Sequence, residues 1–159
     1  MGNFYTELVP TVDIENPRQD DVLALLQQGD DFALSLYPAE SYYGLDVGAL
    51  EHPDVSFYVA RDNGIALGTA AIVNRGNGTA EIKRMFVTDA ARGLGVGRSL
   101  LAAIEAHALA AGITVLQLET GLPQAAAIAL YERAGFQQVP RFGQYMDDPT
   151  SYCMEKRLA

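Results

Sequence analysis

The run RGLGVGRS, Arg92 to Ser99, sets three glycines two residues apart and then enters an apolar helical pattern. Glycine costs a helix about 0.8–1.0 kcal/mol relative to alanine, so bare backbone must serve a purpose here. The first N–H groups of a helix have no intrahelical partner, and the macrodipole adds roughly half a positive charge at that end. Glycines let an anionic oxygen come close to such amides. Gly93, Gly95 and Gly97 therefore read as a phosphate cradle, with Arg92 and Arg98 as flanking cations. The spacing G-x-G-x-G differs from the G-x-G-x-x-G of dinucleotide folds. Arg98 and Ser99 follow Gly97, without the lysine of a nucleotide triphosphatase loop. A tight strand-to-helix turn that binds nothing is the alternative.

Other reactive residue types point less sharply. His52 and His107 lack metal-ligand spacing, and His107 reads as an exposed or dipole-paired helix residue. No metal is expected. Cys153, the lone cysteine, lies in an apolar–polar alternation and reads as a buried strand thiol. Glu81 stands two residues before Lys83, so a strand would put the pair on one face. Asp30, Asp31 and Glu40 either dock a cationic amine or are solvated loop charges.

The net charge of −9 and pI of about 4.5 work against nucleic-acid and anionic-membrane partners. At 159 residues with 49% apolar and only 19% charged residues, the chain reads as one folded domain, 1–159. It shows no basic start followed by an apolar run, and no stretch of the ~18 apolar residues that a membrane span needs. A soluble cytoplasmic protein is the expectation. Met1, Gly2 and Thr6 formally match a myristoylation pattern, with nothing else in support.

The elements that must position these groups follow from periodicity. Glu7–Ile14 reads as a first strand, then Arg18–Gln28 as a helix stopped by Gly29. Asp30–Leu50 is tyrosine-rich, with weak periodicity, and reads as short helix and loop. Val55–Arg61, Ala66–Asn74 and Thr79–Val87 form an antiparallel meander, turned by DNG and RGNG. Arg98–Ala111 is a helix ended by Gly112, with Leu100, Leu101, Ile104 and Ala108 on one face. Ile113–Thr120 reads as a central strand, Gln124–Ala134 as a helix closed by Gly135. FQQV and SYCMEKRL are final strands. The order implies an α/β fold, a mixed sheet with helices packed on it.

Arg92-x-x-Gly95-x-Gly97, with EIKRMFV before it and AIALYERAGFQQV after it, resembles the paired signatures of the GNAT superfamily of acyl-CoA-dependent N-acetyltransferases. The resemblance is strong from Thr79 to Phe136 and looser towards both ends. It implies a mostly antiparallel central sheet with a splayed strand pair and flanking helices. It also implies direct acetyl transfer from acetyl-CoA to a primary amine of a small molecule or peptide. A non-catalytic acyl-CoA sensor of the same fold is the alternative. On this resemblance, the amides of Gly93, Leu94, Gly95, Val96, Gly97, Arg98 and Ser99 hold the pyrophosphate, beside Arg92. The backbone of Met85, Phe86 and Val87 pairs with the pantetheine arm. Tyr131 protonates the leaving thiolate, and Glu81 matches the base of some members. Gln124 replaces an asparagine that often holds the arm. The acceptor pocket falls at Leu36–Gly44, where Tyr37, Tyr42 and Tyr43 wall it or pack beneath a loop. Arg141–Pro149 closes its other side. A homodimer paired through the C-terminal strand is a further expectation.

Overall fold

A computed structural model describes residues 8–158. Glu7 and the Met1–Thr6 pattern lie outside the described residues. The strands are β1 (Thr11–Ile14), β2 (Val55–Asp62), β3 (Ile65–Gly76), β4 (Thr79–Val87), β5 (Val115–Gly121), β6 (Gln137–Gln138) and β7 (Ser151–Arg157). The helices are α1 (Asp20–Leu36), α2 (Val47–Leu50), α3 (Val96–Ala110) and α4 (Ala125–Arg133). The strands form a seven-stranded sheet in the order β1-β2-β3-β4-β5-β7-β6. Every neighbouring pair is antiparallel except β4 and β5.

Alternation along the meander sends side chains to two cores. Tyr58, Ala60, Ala70, Ile72 and Ile82 pack on one face with Leu100, Leu101 and Ile104 of α3. Phe57, Val59 and Ala71 pack on the other with Val22 and Leu26 of α1 and Leu50 of α2. Each buried valine, leucine, isoleucine or phenylalanine among them stabilises the fold by about 1.5–3 kcal/mol relative to exposure. His107 is half-buried at the edge of the first core, where its Nδ1 hydrogen-bonds the Tyr58 hydroxyl and its ring meets that of Tyr58 edge-on, so it is not held by the dipole alone. Cys153 is buried, as expected, and burial pushes its thiol pKa up. No helix among the described residues is long and apolar enough to cross a membrane.

Two features of the meander make the site. The first is that α1 does not stop at Gly29. It continues to Leu36, and a Cβ on Gly29 would lie 3.5 Å from the Phe86 ring. That is ordinary contact distance, so Gly29 lies within the packing of α1 on β4 and not at a helix end.

The second is that β4 and β5 pair only from Thr79 with Val115 to Ile82 with Leu118. Beyond that rung they part. Just past it, β4 carries a bulge: Thr69 pairs with Phe86 and Ala71 with Lys83, so Arg84 and Met85 together oppose Ala70. Arg84 adopts φ 57, a left-handed conformation costing about 1–2 kcal/mol for a side-chain-bearing residue. Its guanidinium is anchored by Asp30, the Tyr42 hydroxyl and the Leu26 carbonyl, and these contacts offset that cost. The splayed pair implied by the sequence is thus present, and the bulge ties it to α1 and the tyrosine segment.

Candidate active site

A cavity of about 940 Å³ fills the fork between β4 and β5. One wall is the start of α3. Gly95 caps this helix at φ 88, with no side-chain cap. A serine or aspartate at this position would offer an oxygen to the second or third amide. Glycine leaves those amides to an external acceptor, and among the described residues Val96 and Gly97 find no backbone carbonyl. Arg92, Gly93, Gly95, Val96, Gly97 and Arg98 all line the cavity. Two residues of the expected cradle behave otherwise. The Ser99 amide donates to the Gly95 carbonyl as an ordinary helical bond, and the Leu94 amide donates to Ala91. The turn therefore exposes its amides at the first helical positions and spends these two on its own structure. Arg92 stacks its guanidinium 4.9 Å from the Phe32 ring centre of α1 and pairs with Asp89.

Met85, Phe86 and Val87 line the cavity along the strand edge that β5 has left. Arg92 Nε reaches the Val87 carbonyl at 3.4 Å. Gln124 caps α4 and lines the cavity, but its amide is engaged, donating from Nε2 to the Tyr37 hydroxyl at 2.9 Å. The Tyr37 ring lies directly over Gly121 at the end of β5, where any Cβ would collide with it. That glycine admits the tyrosine into the wall.

Tyr131 faces the cavity from α4, is 5% exposed, and packs edge-on against Phe136. Burial first, and the negative charge of Glu119 second, raise its pKa well above that of a free phenol. It therefore keeps its proton throughout the physiological range. Glu119 lines the same cavity from β5. Burial pushes its carboxyl up to about 7, against the Ser151 hydroxyl, which donates to Oε2 at 2.7 Å, and against the charge of Lys83. A half-ionised carboxyl and a protonated phenol thus meet in one cavity, a combination suited to moving protons in both directions.

Glu81 lies elsewhere. It pairs with Gln117 inside the closed part of the sheet, before the fork, and does not line the cavity. Its Oε1 accepts two hydrogen bonds from Arg75, at 3.2 and 2.7 Å, and its Oε2 accepts one from the Tyr145 hydroxyl at 2.6 Å. The expected pairing with Lys83 is present at 3.8 Å. Lys83, two residues on and past the last rung, does line the cavity. Burial lowers its pKa, while Glu81 and Glu119 pull it back up.

Tyr37, Tyr42 and Tyr43 line the same cavity, so the tyrosine-rich segment contributes a wall. Asp30 is held by Arg84 and Tyr42, so it braces this wall rather than facing solvent. Arg141–Pro149 supports the wall from behind: the Tyr43 hydroxyl donates to Asp148 at 2.8 Å, and its ring meets that of Tyr145 edge-on. Glu119, Lys83 and Arg84 are the residues that sequence reasoning missed as a site. Their signal was charge on otherwise apolar strands, in QLET and EIKR. Only the fork shows which charged strand residues see a cavity.

A parallel strand pair that opens beside a glycine-capped helix start, with a buried phenol and a buried carboxyl in the gap, makes a site suited to an anionic ligand and to proton transfer. The chain matches the acetyltransferase (GNAT) family over residues 21–136. It is 47% identical over 149 residues to a protein of Azospirillum brasilense named IAA acetyltransferase, covering 93% of this chain and 97% of that one. A solved structure from Klebsiella pneumoniae, described as an acyl-CoA N-acyltransferase, superposes with a TM-score of 0.80 at 35% identity. It covers 95% of this chain and 99% of its own. An N-acetyltransferase from Thermoplasma acidophilum, solved with coenzyme A, shares the fold at a TM-score of 0.72 and 14% identity, over 92% and 99% of the two chains. The protein belongs to the GNAT family and is an acetyl-CoA-dependent acetyltransferase.

Proposed function

We propose that this enzyme acetylates the primary amine of a small molecule or peptide by direct attack, with Glu119 as the general base and Tyr131 as the general acid. The observation that carries the reading is their joint presence in the fork cavity, one carboxyl at about 7 and one phenol held protonated. When bound, acetyl-CoA supplies the thioester at which the amine attacks. The exposed amides of Val96 and Gly97, with Gly93, Gly95 and Arg98 beside them, suit its pyrophosphate, and Arg92 suits a phosphate at the cavity mouth. The free edge of β4 at Met85, Phe86 and Val87 suits the amides of the pantetheine arm. Gln124 takes part through the wall it forms with Tyr37.

Glu119 accepts a proton from the incoming ammonium or from the attacking amine, directly or through one water. Ser151 orients its carboxylate. Tyr131 donates its hydroxyl proton as the sulfur leaves and regains one through solvent, while Glu119 passes what it accepts to solvent; a neutral amine thus gives one proton to the thiol, and an ammonium gives one to the thiol and one to solvent. Glu81 fits a positioning role: it fixes the Tyr145 hydroxyl, which in turn receives a hydrogen bond from Lys83 at 2.7 Å. The IAA acetyltransferase of Azospirillum brasilense supports acetyl transfer for its close sequence. The acceptor is tested by thiol release from acetyl-CoA against a panel of amines. Release with at least one amine, abolished in a Glu119→Gln, Tyr131→Phe double variant, supports the reading. Release that survives in the double variant overturns the assignment of acid and base.

A further inference from the structure

Lys83 and Glu119 stand across the mouth of the fork from each other. Their strands run parallel and pair last at Ile82 with Leu118. Each is the next residue on its strand, so both side chains leave the same face of the sheet. Both line the cavity. At the last rung neighbouring strands are about 4.8 Å apart, and the gap widens from there.

The Lys83 side chain is only 7% exposed, and its ammonium, 5.4 Å from the centre of the Tyr145 ring, makes a single hydrogen bond among the described residues. It donates to the Tyr145 hydroxyl at 2.7 Å. Glu81, at 3.8 Å, is beyond hydrogen-bond range and is already served by Arg75 and Tyr145. An ammonium carries three donors. Among the described residues the others find no protein acceptor. A buried charge with donors left over is costly unless something completes its shell. The neighbouring cation differs: Arg84 is neutralised by Asp30 at the cavity wall. Lys83 thus keeps two donors for a ligand, in a cavity where, among the described residues, Arg84 retains one buried Nε without a partner. The surrounding wall is apolar and aromatic, with Leu25, Leu26, Tyr37 and Tyr43.

Resting on the acetyl-transfer reading above, we propose that the acceptor is an amine that also carries a carboxylate, an amino acid with an apolar or aromatic body. Lys83 holds the carboxylate while the amine faces Glu119. An amino acid bears both groups on one carbon, and two hydrogen bonds of about 2.9 Å each let it bridge groups on adjacent strands. The negative charge of the molecule as a whole does not oppose this, because the anion meets a buried cation at short range and the surface charge is screened beyond about 8–10 Å.

The test compares matched pairs, such as phenylalanine with phenethylamine and leucine with isoamylamine, by thiol release from acetyl-CoA. The wild-type enzyme is expected to favour the amino acid in kcat/KM by about 10–100-fold, the fold-change of a charge-assisted hydrogen bond. In Lys83→Met that ratio falls to about one or below, through KM for the amino acid. Lys83→Arg, which keeps the cation, retains part of it. Loss of rate on both members of a pair alike in Lys83→Met would mean a structural role and overturns the proposal. So does a wild-type enzyme that prefers the decarboxylated amines. Absence of thiol release with every amine would instead strike at the acetyl-transfer reading. In that event calorimetry with N-acetylphenylalanine and N-acetylphenethylamine decides the carboxylate question: selective binding of the former, lost in Lys83→Met, supports it, and equal or absent binding of both overturns it.

Discussion

A carboxyl held at about 7 is half-ionised at neutral pH, so Glu119 should write its titration into the rate. As a base it works deprotonated. We therefore expect kcat/KM to climb as pH rises through about 7 and to fall away on the acid side. Glu119→Gln should lower kcat by about 10²–10⁴-fold and remove that limb from the pH profile. The same group makes a second, opposite mark on stability. Its folded pKa lies above the unfolded value of 4.5, so between about 4.5 and about 7 the folded state holds a proton that the unfolded chain releases. Stability contributed by the neutral carboxyl is then full below that window and declines as pH rises through it. Urea melts of wild type and Glu119→Gln at pH 5 and 8 read this directly, with a steeper decline expected in the wild type. Tyr131 is tested by Tyr131→Phe, which keeps the buried ring and its contact with Phe136. Here kcat should drop by about 10²–10⁴-fold while coenzyme A affinity barely changes, the pattern of an interaction made only as the C–S bond breaks. A rate within about twofold of wild type, in a folded variant, withdraws the role.

At the scale of elements, the fork depends on a helix start, a bulge and a helix that runs past its glycine. The α3 N-terminus is the piece most open to experiment. Gly95 sits at φ 88, where a β-branched residue is strongly disfavoured, and its missing side chain is what leaves the amides exposed. Gly95→Val should fold with lowered stability and lose the rise in melting temperature that coenzyme A gives the wild type. A folded Gly95→Val with an unchanged coenzyme A shift would show that the ligand does not lean on this turn. The bulge at Arg84 has a matching logic. It links β4 to Asp30 of α1 and to Tyr42, so the free edge of β4 and the tyrosine wall are set by one residue.

For the whole molecule, both faces of the sheet carry cores, and the strands β2 and β3 contribute to each. We propose that residues 1–159 act as one domain, and two cores sharing strands should melt together. The chain has eight tyrosines and no tryptophan, so tyrosine fluorescence and far-ultraviolet circular dichroism give independent probes. Coincident transitions are expected; separated ones would mean two folding units. The homodimer is likewise a proposal. Among the described residues β7 is covered on its outer side by the two-residue β6, paired at Glu155 and Met154, and by the Val139 amide on the Cys153 carbonyl, which leaves Ser151 and Tyr152 short of a strand neighbour. Light scattering at micromolar protein should return twice the mass of 17.1 kDa if a second copy completes that edge, and a monomer mass ends the idea.

Much of this protein was legible from its residues alone. Periodicity placed the meander, with β4 at Thr79–Val87, because a half-buried strand must alternate and a turn must be built from residues such as Asn63–Gly64 that tolerate positive φ. The buried face of α3 and the exposed amides beside Gly95 followed from the same local rules, since a helix start is a local object. What the chain alone could not decide was which charges meet. Glu81 and Glu119 are both acidic residues on strands, and nothing local separates them. The register of β4 against β5 does: pairing ends at Ile82, so Glu81 is closed in behind Arg75 and Tyr145 while Glu119 opens onto the cavity. Gly29 misled for a related reason. As a local signal it ends a helix, but the tertiary packing of α1 on β4, with Phe86 beside Gly29, carries the helix on to Leu36. Local preference chose the elements; the burial and partners that give a carboxyl or an amine its chemistry arise only where distant strands are brought side by side.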